Sequence, residues 1–248
     1  MILRRLTDAF RKQDWFTVLI ETLMVVLGVF LGLQVNNWNE ARLEQEQEAA
    51  ILAQLADEFS DIKIALERQI GVREGYIADL RSLIAGLEES GPEPDDLAIR
   101  RALVAARSTG RRPAQSSAYL QLTANGELAR LSNEDLKQAL IRYHARLDRD
   151  AFMFPELMRV VVQETSSNPY VDFDPSAPGT FGAVIDNPNE TANLRAGIIR
   201  SYDFDGLREF EQHYETLYIM HLNLVDTDKA QLESANEILM LLSVEDRP

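Results

Sequence analysis

From Trp15 to Val35 the chain is apolar at every position except Thr17, Glu21, Thr22 and Gln34. As a helix these residues span ~31 Å, about the thickness of a bilayer's hydrocarbon core, which predicts a transmembrane helix over 15–35. Trp15 and Trp38 stand where interfacial aromatic residues belong. The run is longer than the roughly 7–15 apolar residues of a cleaved signal peptide, and the following "QVNNWNE" has no small-residue cleavage site. Beyond the span the apolar spacing stays helical. Leu52, Leu55, Phe59, Ile62 and Leu66 step by three and four, and Ile77, Leu80, Ile84 and Leu87 resume the same period. The pattern predicts that the anchor helix continues to about residue 88, with Gly71 and Gly75 as candidate breaks, and that "EESGPEPDD" ends it.

Shorter helices are predicted at about 95–107 and 115–125. In "LSNEDLKQALIRYHARLDRDAFMF", Ser132 is the expected N-cap, and Leu136, Leu140, Tyr143, Leu147 and Phe154 mark a buried face. Pro155 is expected to kink or split the helix as it continues to about Glu164. Residues 166–189 hold four prolines and two glycines without helical period, and so predict a long loop. A last helix over about 203–242 places Leu207, Phe210, Tyr214, Leu217, His221 and Leu224 at heptad steps. Strand signals are nearly absent. The expected fold is all-α: one N-terminal transmembrane helix continuing into an extramembrane helical bundle with two long helices. The expected divisions are a basic segment 1–14, the span 15–35 and a helical domain 36–248.

Within the span, one stripe collects its unusual residues. At 100° per residue Gly28 and Gly32 lie 20° to either side of Glu21, Thr17 lies within 40°, and Asn39 is in line. An ionisable group at that depth is costly in lipid and should face protein. "GVFLG" is a GxxxG motif, which permits close approach of two helix backbones. Thr17, Glu21, Gly28, Gly32 and Asn39 therefore form a candidate helix–helix interface, with Glu21 hydrogen-bonded to Thr17 or to a second Glu21. The expected partners are lipid, further copies of the chain, or other membrane subunits.

The stretch "ETLMVVLGVFLGLQVNNWNE" resembles the signature of an uncharacterised bacterial family of single-pass membrane proteins, a domain of unknown function. In that family a Glu-containing span precedes a Leu-Gln-x-Asn-Asn-Trp-Asn-Glu run, here Leu33 to Glu40. The segment "YLQLTANGELARLSNEDLKQALIRYH" is similar, more loosely, to the family's second recurrent stretch. The resemblance implies location and helical layout, and no catalytic residue.

Charge sets an expected orientation. Residues 1–14 carry four Lys/Arg and two Asp, hence +2, and Glu21 adds −1; of the total of −15, residues 36–248 therefore carry −16. The positive-inside rule puts the N-terminus in the cytoplasm and the acidic body in the periplasm of a bacterial inner membrane. So acidic a body argues against nucleic-acid binding. Cysteine is absent, which excludes disulfides and thiol chemistry.

Candidate chemistry is sparse. His213 and His221 lie two turns apart, with Glu209 one turn earlier, but no HExxH or ExxH spacing occurs and no metal or other cofactor is expected. GxSxG, P-loop and GxGxxG motifs are missing, so no catalytic residue is assigned. Asp172 and Asp174 do not continue into a calcium loop. Against the acidic background, Arg100, Arg101, Arg107, Arg111 and Arg112 precede Ser116 and Ser117 at a predicted helix start. Arg107, Arg111, Arg112, Ser116 and Ser117 make a candidate anion-binding group; pairing with internal carboxylates is the alternative. Three functional expectations follow: a non-enzymatic, membrane-anchored interaction or scaffold protein, an oligomeric proton or ion conduit using Glu21, and an anion-binding sensor module.

Overall fold

A computed structural model describes residues 15–88, 91–108, 115–166, 168–174 and 196–245. The basic segment 1–14, Arg111, Arg112 and residues 175–189 of the predicted loop lie outside the described residues, as do the side chains of Trp15, Thr17 and Phe154. The chain is helical as expected, with a two-stranded sheet as the exception.

Helix α1 runs from Trp15 to Leu87 and passes Gly71 and Gly75 without a break. Helices α2 (Asp96–Ala106) and α3 (Ser117–Ala124) follow, then a 3-10 turn at Glu127–Arg130 and helix α4 (Glu134–Ser166). Strands β1 (Val171–Phe173) and β2 (Ile199–Tyr202) precede the short helix α5 (Phe204–Leu207), a 3-10 turn at Arg208–Phe210 and the closing helix α6 (Glu211–Glu245). The chain forms two compact units, one ending at Ala53 and one beginning at Gln54.

The caps explain the boundaries. Asp95 accepts from the Ala98 amide at 2.8 Å and starts α2. Gly126 takes φ 70° after α3, a left-handed turn open to glycine at little cost. The N-cap of α4 is Asn133, whose Oδ1 accepts from the Leu136 amide at 2.9 Å, and not Ser132. Ser132 sits one residue too early for its oxygen to take that amide. Arg208 donates to the Leu87 and Glu88 carbonyls at 2.5 and 3.0 Å, placing a cation on the negative end of α1.

Helix α4 runs through Pro155 to Ser166 as one helix, so of the two expected effects of the proline the split does not occur. One expectation needs correction. Part of the predicted loop is strand: β1 pairs antiparallel with β2, Val171 opposite Tyr202 and Asp172 opposite Ser201. A bulge then puts Phe173 opposite Ile199.

The core of the second unit follows the periodic positions. Leu55, Phe59, Ile62 and Leu66 of α1 are buried, as are Leu136, Leu140, Tyr143 and Leu147 of α4; Phe59 and Tyr143 meet edge to face at 5.1 Å. Further along, Tyr76, Leu80, Leu83 and Leu87 of α1 join α2, both strands and Leu207, Tyr214 and Leu217. Each fully buried Leu or Phe contributes about 1.5–3 kcal/mol, which is what holds the short elements in place. Gly206 lies against the Tyr170 ring, where an added Cβ would come within 2.2 Å of a ring carbon.

One charged layer interrupts this core. Arg73 Nε donates to Asp228 Oδ2 at 2.6 Å, with both side chains about 4% exposed, and Gln69 donates to the other oxygen at 2.9 Å. One turn along α6, Gln231 donates to Asp150 of α4 at 2.5 Å. Burial raises the Asp228 pKa, and Arg73 and Gln69 offset this only in part.

Candidate functional site

Apolar side chains that would be buried in a soluble protein are outside in the first unit. From Leu19 to Val35 every residue of α1 is exposed or nearly so, Leu23 at 53% and Val25 at 66%. Among the described residues this is the one helix long and apolar enough to cross a membrane by length and composition. Trp38 is 70% exposed beyond it. Around the predicted stripe, an added Cβ at Gly28 or Gly32 would meet nothing within 4 Å. Asn39 Oδ1 accepts from Arg42 of the next turn at 3.4 Å, and Asn36 donates to Glu40 at 2.8 Å. Continuity of α1 puts Glu21, Gly28, Gly32 and Asn39 on one helical face.

The start of α3 holds an anion, and it is the chain's own. Ser116 Oγ accepts from the Tyr119 amide at 3.1 Å and donates to Glu58 Oε2 at 2.7 Å. The hydroxyl of Ser117 and the amide of Ala118 also donate to the Glu58 carboxylate. Gln54, one turn earlier on α1, donates to it at 3.0 Å. Partial burial pushes this carboxyl up, but the four donors outweigh it and bring the pKa to about 2. Ser116 and Ser117 are thus engaged by a glutamate 58 and 59 residues earlier, which no local pattern in the sequence singles out.

The arginines preceding α3 disperse. Arg100 pairs with Asp96 at 2.8 Å and donates to the Ile199 carbonyl, tying α2 to β2. Arg101 pairs with Asp79 of α1 at 2.7 Å; burial raises the Asp79 pKa despite that arginine. Arg107 has no carboxylate partner among the described residues, and its guanidinium lies over the Phe173 ring, 4.1 Å from the centroid. Its pKa is lowered by burial.

The histidines are explained by packing. His221 is fully buried and its Nε2 lies 3.0 Å from the Ala105 carbonyl, so Nε2 carries the proton and the ring is held neutral; burial brings its pKa to about 4. His144 stacks on Tyr119 at 3.6 Å with Nδ1 2.9 Å from the Leu140 carbonyl. His213 packs against Phe210 at 4.9 Å. Asp174 pairs with Arg200 at 3.1 Å. No group of three acidic or histidine side chains is arranged to hold a metal among the described residues. No protein-family model, curated protein or solved structure matches this chain.

Proposed function

We propose that this chain is a non-enzymatic, membrane-anchored interaction protein. Residues 15–35 span a bacterial inner membrane, the N-terminus is cytoplasmic, and the acidic helical domain is periplasmic. The observation that carries the reading is the exposed, largely apolar stretch of α1 from Leu19 to Val35, whose apolar side chains stay uncovered among the described residues. Its twelve large apolar side chains exposed to water would be untenable, whereas in hydrocarbon they are at rest. The excess of Lys/Arg ahead of the span supports the orientation.

The span also associates with another helix, a second copy of the chain or a further membrane subunit. Each glycine costs a helix about 1 kcal/mol relative to alanine, and nothing among the described residues requires the missing side chains at 28 and 32. A helix packed from outside would require them, and would shelter Glu21 on the same face.

Two experiments test this. A reporter active only outside the cytoplasmic membrane, fused after Pro248, should be active; activity confined to a cytoplasmic reporter refutes the orientation. Because the chain has no cysteine, Asn37→Cys supplies a single labelling site for energy transfer between copies of the full chain in liposomes. Transfer that survives dilution in lipid and falls with Gly28→Leu or Gly32→Leu supports self-association. Transfer unchanged by both substitutions removes the glycine face from the interface.

A further inference from the structure

From Glu21, alternate steps of four and three along α1 trace one seam through Val25, Gly28, Gly32 and Val35. The same steps continue it beyond the span through Asn39, Arg42, Glu46, Ala49 and Ala53. A straight helix drifts from this period by about 20° per heptad, which two helices wound left-handedly take up as supercoil. Every one of these positions is exposed, and all belong to the first unit. The seam holds no Leu, Phe, Met or Trp; Leu23, Phe30, Trp38 and Leu43 all stand off it. Its small residues, glycines in the span and alanines at the outer end, let two backbones come close.

Between glycines and alanines the seam is polar and complementary to itself. From Asn36 to Ala53 the charged residues are Glu40, Arg42, Glu44, Glu46 and Glu48. The one cation of this acidic stretch thus stands on the seam, one turn before a seam glutamate. Within the chain these groups are loosely held. Arg42 Nε lies 3.8 Å from Glu46 Oε1, Arg42 Nη2 lies 3.4 Å from Asn39 Oδ1, and both charged side chains are more than half exposed. An ion pair of that kind contributes little to a lone helix and is free to exchange partners. A two-fold axis along the seam sets Arg42 of each copy beside Glu46 of the other, about 6 Å away along the axis and within reach of the long side chain. It also brings two Asn39 amides together, each able to donate and to accept. A polar residue at one seam position fixes register, because a copy displaced by a heptad loses it. Such a shift would set Arg42 level with Val35 or Ala49.

We propose that this polar segment docks a second copy of the chain, parallel and in register, with Arg42 of each copy paired to Glu46 of the other and Asn39 to Asn39. The proposal rests on the self-association read from Gly28 and Gly32 and carries it outside the bilayer. The test uses the full chain with Asn37→Cys, which puts the label on the far face of the helix, and donor and acceptor copies mixed in phosphatidylcholine liposomes. Arg42→Glu alone, or Glu46→Arg alone, places like charges across the seam and should lower energy transfer several-fold. Donor copies with Arg42→Glu mixed with acceptor copies with Glu46→Arg should regain it. In each of those copies residues 42 and 46 carry like charge, so only pairing between copies restores the contact. Glu44→Arg changes the net charge equally but lies on the opposite face, and its mixture with Arg42→Glu should stay low. The differences should shrink as salt is raised. All substituted side chains are exposed, so folding is not at stake. The inference is overturned if either single variant transfers like the wild type, if the complementary mixture stays low, or if Glu44→Arg rescues as well as Glu46→Arg. Transfer that Gly28→Leu lowers while the charge variants leave it unchanged refutes this docking surface and leaves the span contact standing. Absence of transfer in the wild type overturns both.

Discussion

Removing the charge of Glu58 tests how the start of α3 is held against α1. Glu58→Gln keeps the shape and one acceptor oxygen but turns an NH2 toward hydroxyls and an amide that now donate to a carboxylate. The fall in pKa from 4.5 to about 2 corresponds, at 1.36 kcal/mol per pH unit, to a ceiling of about 3 kcal/mol. Glu58 is only partly buried, so solvent screening reduces that to about 1–2 kcal/mol. For a domain of this size the loss should lower Tm by roughly 3–6 °C at pH 7. The pH dependence is a second signature. The folded pKa lies below the unfolded one, so the stabilisation is complete above about pH 4.5 and disappears as pH falls toward 2. Thermal melts of wild type and Glu58→Gln should therefore converge across that interval. A variant that melts within a degree of wild type at pH 7, or a gap that stays constant down to pH 2, would refute the assignment of the carboxylate as the stabilising group.

His221 titrates in a different window: its pKa falls from 6.5 to about 4 in the fold, so the domain should lose stability as pH drops from about 6.5 toward 4. His221→Leu should flatten that slope in pH-dependent melts. At the buried pair, Asp228→Asn leaves Arg73 uncompensated and should cost about 3–5 kcal/mol by urea unfolding. Arg73→Met with Asp228→Leu should come much closer to wild type, because burial already outweighs the pairing at Asp228. In the span, Glu21→Leu should weaken self-association by ~0.5–2 kcal/mol and Glu21→Gln by less, read by energy transfer in liposomes. Proton flux into those liposomes should be the same with Glu21 and with Glu21→Gln; flux that depends on the carboxyl would favour the conduit.

What the sequence made legible is what repeats. Leu55, Phe59, Ile62 and Leu66 announce a helical face because each apolar residue recurs with the turn, and all four are buried. The same holds for Leu136, Leu140, Tyr143 and Leu147, whose period survives the charged residues between them. Strands β1 and β2 were illegible because three and four residues are too few to display alternation, and one residue of bulge disrupts even that. The cap of α4 was misplaced by one residue because Ser132 and Asn133 are both good cap residues and only backbone geometry chooses between them. The carboxylate at the start of α3 was not legible. Ser116 and Ser117 signal a helix start that accepts negative charge, but nothing local reveals that Glu58 arrives from another helix.

The charged layer in the core fixes where this chain can change length. Asp228 reaches α1 and, three residues later, Gln231 reaches α4. Two neighbours thus fix the angular phase of α6 within a single turn. One residue inserted between Tyr214 and Asp228 would rotate everything after it by about 100° relative to everything before. Either Tyr214 and Leu217 or Asp228 and Gln231 would then face the wrong way, and no side-chain adjustment spans that angle. Length variation in this protein should therefore avoid this stretch, and α6 should keep its residue count between Tyr214 and Gln231.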